Sequence, residues 1–248
     1  MVGLRRGRQR WIHARVVEAC EGLDFLAKEL LIANPTQAAA VLLAEDVVCV
    51  LLGLKRQHSP YLPASTPRSA DVVLYLDLDG VVHHEKVLWH PSKGIYMSPY
   101  EASGHSLFEW VPILESVLEP YPSVALVLSS TWCIRPGYSA TLKRLPAPLR
   151  ARFIGGTYHK RVHGVDPWNL SMFRATPRGV QVQEDAQRRK PRQWLALDDD
   201  IEDWPESCRH NLVACDGTMG LSNPDVQQEL WEKLRCCQAP CGASARCR

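Results

Sequence analysis

The chain has 248 residues, 46% of them hydrophobic and 23% charged, which suits one substantial domain with an appendage or two small domains. Its 29 lysines and arginines against 27 aspartates and glutamates leave a net charge of +2, which argues against a nucleic-acid coat protein or a polybasic membrane binder. The most apolar stretch, Ala38 to Leu54, carries Glu45 and Asp46 at its middle and is too short to span a bilayer comfortably, so no membrane partner is expected.

Arg5, Arg6, Arg8, Arg10 and Arg15 precede the first acid, Glu18, and read as a solvated N-terminus. No uninterrupted apolar segment with a cleavage site follows them, so a cytoplasmic location is expected. Val16, Val17, Cys20, Leu23, Leu26, Ala27, Leu30 and Leu31 recur at helical spacing. Asn34-Pro35-Thr36 interrupts them, and Ala38 to Leu54 forms a second helix, apolar nearly all round. Residues 1–56 are therefore predicted to be an N-terminal helical segment, with a hairpin over 11–54 that packs on itself or on a partner. Residues 57–70, rich in proline, read as a linker.

From Asp71 the pattern changes. Val72 to Leu76 is a short apolar run expected to be a buried parallel strand, ending in Asp77-Leu78-Asp79-Gly80. Leu107 to Leu118 is predicted helical. Val124 to Leu128 is a second strand, ending in Ser129-Ser130-Thr131. A helix is expected over Tyr138 to Leu145. Trp194 to Leu197 is a third strand, ending in Asp198-Asp199-Asp200, and Leu212 to Cys215 is a fourth, ending in Asp216-Gly217. Asp225 to Leu234 is a closing helix, started by Asn223-Pro224. Strands alternating with helices predict an α/β fold with a parallel sheet over 71–235. Residues 236–248 form a tail with Cys236, Cys237, Cys241 and Cys247, read as disordered. Scattered Cys20, Cys49, Cys133, Cys208 and Cys215 are expected to be buried and reduced.

The three polar strand ends carry the chemistry. Open α/β sheets bind ligands at the carboxyl ends of their strands, so the clusters should converge on one crevice. Asp77 and Asp79, two residues apart, are expected on one side, with Gly80 allowing a sharp turn. Carboxylates at close range repel unless a cation intervenes, and Asp198 and Asp199 add more negative charge. Hard oxygen ligands call for Mg²⁺. Asp77, kept ionised, can then attack phosphorus, with Asp79 as general acid and later base. The hydroxyls of Ser129 and Ser130 can donate to phosphoryl oxygens. Arg178, Lys190 and Lys160 are candidates for the cation that offsets the charge. Asp200 could instead cap a helix beginning at Ile201.

The series Val72-Val-Leu-Tyr-Leu-Asp77-Leu-Asp79-Gly-Val, Val127-Leu-Ser129-Ser130-Thr131-Trp132 and Trp194-Leu-Ala-Leu-Asp198-Asp199-Asp200 resembles the haloacid dehalogenase (HAD-like) superfamily. More narrowly it looks like the small HAD domains of Swiss Army Knife RNA repair proteins. Ala214 to Ser222, followed by a helix, is similar to the end of that domain. The resemblance covers residues 71 to 235. It implies a three-layer Rossmann-like core, Mg²⁺ and a phosphatase or phosphotransferase working through an aspartyl-phosphate. Carried over, Asp77 is the nucleophile, Asp79 the acid/base, Ser129 the second-motif hydroxyl, and Asp198 with Asp199 metal carboxylates. Asp77 and Asp79 complete the expected metal set. The third motif, normally Lys, is best matched by Arg178, which keeps the charge but not the compact ammonium.

No large cap fits between Gly80 and Val124. Trp89, His90, Tyr96, Tyr100 and His105 lie there and are expected to pack the connection against the sheet. An open crevice leaves room for a macromolecular substrate such as a nucleic-acid terminal phosphate. His159, Lys160, Arg161 and His163 are read as a solvated basic loop. The principal expectation is a Mg-dependent phosphatase. The alternatives are a catalytically weak scaffold that binds a protein partner, or self-associates, through residues 11–54, and a nucleic-acid end-processing phosphatase.

Overall fold

The computed structural model describes residues 68–164 and 166–238. The helical hairpin expected over residues 11–54, most of the linker and the tail beyond Gln238 lie outside the described residues.

Five parallel strands form the central sheet: β1 (Val72–Leu76), β4 (Ala125–Leu128), β5 (Phe153–Gly156), β6 (Gln193–Asp198) and β7 (Leu212–Ala214). Their order is β5-β4-β1-β6-β7. Between β1 and β4 run a two-stranded antiparallel hairpin, β2 (Val87–His90) with β3 (Gly94–Met97), and helix α1 (Val111–Leu118). Three short helices, α2 (Tyr138–Leu142), α3 (Ala147–Ala151) and α4 (Lys160–His163), flank β5, and α5 (Pro167–Ala175) and α6 (Arg178–Arg189) lead to β6. Helix α7 (Pro224–Gln238) closes the domain.

The two-residue period of a strand explains the layers. Val72, Leu74 and Leu76 point to one face, where they meet Leu114 and Leu118 of α1 and Leu230 and Leu234 of α7. Val73 and Tyr75 point to the other, against Val182 and Ala186 of α6 and the loop residue Trp204. β1 is buried on both faces, which is why it reads as an unbroken apolar run. The Tyr75 hydroxyl donates to Asp185 at 3.1 Å, so the one polar tip in that strand has a partner. The result is an α/β three-layer fold with a Rossmann-like core and, among the described residues, no large cap. Among the described residues no helix is long and apolar enough to cross a membrane.

Several elements differ from expectation for identifiable reasons. α1 begins at Val111 rather than Leu107, because Phe108 has φ +66° and Pro112 belongs in a first turn. The second expected helix stops at Leu142. The closing helix runs on to Gln238, so Cys236 and the buried Cys237 belong to it rather than to a tail. No helix starts at Ile201; a turn with Asp203 at φ +49° follows Asp200. The stretch from His159 to His163 is not a solvated loop. It forms one helical turn, with His163 stacked on Phe173 at 4.4 Å and His159 3.5 Å from the buried Asp185.

Candidate active site

Register brings the polar strand ends level. Leu76 pairs with Leu128 on one side and with Leu197 on the other. The next residues are therefore Asp77, Ser129 and Asp198, side by side at the tips of three adjacent strands. The ladder continues one step further: the Ser129 amide donates to the Leu76 carbonyl at 2.8 Å and the Asp77 amide to the Leu197 carbonyl at 3.1 Å. β1 and β6 are also where the chain reverses its direction of travel across the sheet, the usual ligand crevice of such folds.

Asp77, Asp198 and Asp199 each place one carboxylate oxygen within 4.8 Å of the others, a spacing that one divalent cation can bridge. Asp77 is 4% exposed and Asp198 1% exposed. Burial pushes both carboxyls up; the charge of Asp79 adds to the rise at Asp77, and the charge of Asp77 adds to the rise at Asp198. Asp199 is pushed up to about 7, by burial first and then by Asp77. Gly80 makes this crowding sterically feasible. It sits at φ +67°, and a Cβ there would lie 2.1 Å from the Asp199 Oδ2. A Cβ at Gly217, in the turn after β7, would lie 3.0 Å from the same oxygen and 2.6 Å from the Glu85 Oε2. Glu85 is thus a further carboxylate beside the group, and it also raises Asp199.

One buried cation faces this charge. Arg178, first residue of α6, reaches Asp77 Oδ2 at 3.7 Å and Asp198 Oδ2 at 3.5 Å. Its Nε has no hydrogen-bond partner among the described residues, and neither has the Oγ of the fully buried Ser129. The Nε faces Asp198 at 3.5 Å without a hydrogen bond, and the Ser129 hydroxyl sits at the tip of the strand next to β1; buried donors left without hydrogen bonds are costly unless a ligand completes them. The Ser130 hydroxyl serves Asp77, where its hydrogen bond favours the carboxylate, and accepts from the Trp132 amide at 3.4 Å. Lys190 and Lys160 do not join the site. Both are exposed, Lys190 at the opposite end of α6 from Arg178 and Lys160 on α4.

Asp79 stands apart from the carboxylate trio. The indole N–H of Trp132 donates to both of its oxygens, at 2.9 and 3.0 Å, and His83 Nε2 lies 3.0 Å from Oδ1. The Asp79 carboxylate, expected in the metal set, lies outside the group of three whose oxygens are within 4.8 Å of one another. His83 is fully buried against the rings of Phe108 and Trp132. His83, Glu85 and the Trp132 indole escaped the sequence reading as site residues. The position of His83 four residues after Asp79 was the available signal. Only the fold could bring Glu85 to Asp199.

A cleft of about 530 Å³ opens beside Asp79 and Arg178. The β2–β3 hairpin borders it with Val87, Leu88, Trp89 and Ile95, and Arg135, Phe173, Arg174 and Asp200 complete much of the wall. The expected packing of aromatics against the sheet does not hold for Trp89 and Tyr100, which are 45% and 92% exposed.

The family described as the HAD domain in Swiss Army Knife RNA repair proteins matches residues 73–226. The chain belongs to that family. Searches among curated proteins and among solved structures found no match. The match spans this HAD domain from β1 into α7 and contains every residue of the carboxylate group, Arg178, Ser129 and the Asp79–Trp132 pair.

Proposed function

We propose that the protein is a Mg²⁺-dependent phosphohydrolase that works through an aspartyl-phosphate on Asp77. The observation that carries the proposal is the gathering of the Asp77, Asp198 and Asp199 oxygens within 4.8 Å, faced by one buried guanidinium. The donor set fits Mg²⁺: hard carboxylates, two of them buried, with negative charge in excess of the local cation. Asp77, Asp198 and Asp199 would hold the ion, and when bound it supplies charge neutralisation for the carboxylates and for a phosphoryl group.

The chain's own residues account for the rest. Asp77 is held by its backbone in the ladder, and its Oδ1 accepts from the Leu78 amide at 2.7 Å, leaving Oδ2 as the nucleophile. Oδ2 bonds to phosphorus as the bond from phosphorus to the leaving oxygen breaks. Asp79 gives its proton to that oxygen. In the second half Asp79 takes a proton from water, the hydroxyl adds to phosphorus, the Asp77 oxygen departs and inorganic phosphate leaves. Arg178 and the Ser129 hydroxyl, the unsatisfied donors, hold the phosphoryl oxygens. Trp132 and His83 keep Asp79 aimed.

Aryl-phosphate hydrolysis with and without Mg²⁺, in wild type and Asp77→Asn, tests the proposal. Turnover that needs both the ion and Asp77 is the expected result. Equal inertness of both proteins across a broad panel of phosphomonoesters would overturn it. A nucleic-acid terminal phosphate is the substrate class favoured by the family's description and by a crevice bordered, among the described residues, by a short hairpin and helix α5 rather than by a large cap.

A further inference from the structure

The β2–β3 hairpin leaves Trp89 in the open, although an indole is among the most rewarding side chains to bury. The Arg135 guanidinium lies over its ring, 4.2 Å from the centroid. The two residues come from different elements, Trp89 from the hairpin and Arg135 from the turn after the helical segment Thr131–Cys133. The cleft they line also contains Asp79 and Arg178. Neither Arg135 nor Arg174 forms an ion pair among the described residues, so both charges stay available on the wall.

We propose that Trp89 and Arg135 form a stacking ledge for the terminal base of a phosphorylated nucleic-acid end whose phosphate reaches Asp77. The inference rests on the phosphohydrolase reading and names specificity-determining residues for it. Exposed aromatic faces and guanidinium planes are the two surfaces on which unpaired bases stack. A cleft of about 530 Å³ is of the size that holds a nucleotide-sized ligand. The choice of a nucleic-acid end over a phosphotyrosine peptide rests on charge. Arg135 and Arg174 line the same wall and suit the further backbone phosphates that a strand carries and a peptide lacks.

The test separates the ring from the charge. The Mg²⁺-loaded full chain is offered single-stranded pentanucleotides phosphorylated at the 3′ or the 5′ end, each beside a counterpart whose terminal nucleotide is abasic. The expected preference for the base-bearing end in kcat/KM, at whichever terminus is processed, is roughly tenfold or more. It should be carried by KM. Trp89→Ala and Arg135→Ala should each pull that ratio towards one, and Trp89→Phe should retain part of it. No base preference in the wild type, an equal loss on both members of a pair, or better turnover of a phosphotyrosine peptide overturns the ledge. Anisotropy titrations with Asp77→Asn, which need no turnover, keep the two proposals apart. Base-dependent binding that Trp89→Ala removes, in a protein that hydrolyses nothing, sinks the phosphohydrolase and leaves the ledge. Hydrolysis of small phosphates with no base dependence does the reverse.

Discussion

Mg²⁺ should stabilise this HAD domain strongly at pH 8 and weakly at pH 5.5. Asp199 titrates near 7 because it is half-buried beside Asp77, Asp79 and Glu85, so it carries a proton at pH 5.5 and a charge at pH 8. Its folded value lies above the unfolded one. Between about pH 4 and pH 7 the folded state therefore binds more protons, and this group makes the metal-free protein less stable as pH rises through that window. Mg²⁺ reverses the trend by favouring the ionised form. At about 100 times its dissociation constant an ion bound only by the folded state contributes roughly 2.7 kcal/mol. For a domain of this size that is a rise in melting temperature of roughly 5–10 °C. At pH 5.5 about 1.5 units separate the solution from the Asp199 value, so displacing the proton weakens binding about 30-fold, or roughly 2 kcal/mol. The raised Asp77 and Asp198 act in the same direction. Scanning calorimetry at both pH values, with Mg²⁺ or EDTA, should show most of the shift lost at pH 5.5. An equal Mg²⁺ shift at the two pH values would refute the idea that these carboxylates are the ion's ligands.

Asp77→Asn should abolish phosphate-ester turnover while raising the metal-free melting temperature, since it removes a buried charge that repels Asp198; calorimetry in EDTA reads the second effect. Arg178→Met should cost about 3 kcal/mol in urea unfolding at pH 8, because two buried carboxylates lose their shared cation. Part of that loss should return at pH 5, where protonation relieves the same carboxylates. Trp132→Phe removes the donor to both Asp79 oxygens and should slow turnover about tenfold for each roughly 1.4 kcal/mol of lost positioning. The loss should be greater for alkyl than for nitrophenyl esters, since only a poor leaving group needs the acid. Gly80→Ala should erase the Mg²⁺-induced melting shift, because its Cβ and the Asp199 carboxylate cannot share the same space.

The sheet was legible because its central strands are buried on both faces and therefore advertise themselves as apolar runs: β1 lies where Val72 to Leu76 predicts it, and β4, β6 and β7 within a residue or so. β5 was not, since Phe153-Ile-Gly-Gly is short, ends in two glycines and sits at the sheet's edge. The hairpin was hidden for another reason. β2 is largely exposed and β3 mostly half-buried, so no clear alternation of burial marks them, and their fold follows from pairing rather than from periodicity. Within the site, groups at strand ends could be read because the two-residue period and the sheet's rules place them. Glu85 and Asp199 meet across a turn, and the Trp132 indole reaches Asp79 from 53 residues away, relations that no local spacing encodes.

Charge bookkeeping separates a functional cluster from a structural one. Behind the sheet, Asp185 is also buried, yet it is met by Arg188, Arg189, His159 and the Tyr75 hydroxyl, and its carboxyl is held below the usual carboxylate range. That is what a structural ion network does: each buried charge is matched, and the folded state favours ionisation. At the strand tips the balance is inverted. Asp77 and Asp198 share Arg178, Asp199 has Asp77 and Glu85 close by, and all three carboxyls are pushed up instead of down. Burying unmatched carboxylates destabilises a fold, and well-packed apolar residues would serve stability better at the same places. The same chain therefore contains one acidic site that is complete in itself and one that is complete only with an added cation, and the incomplete one lies at the ligand crevice of the sheet.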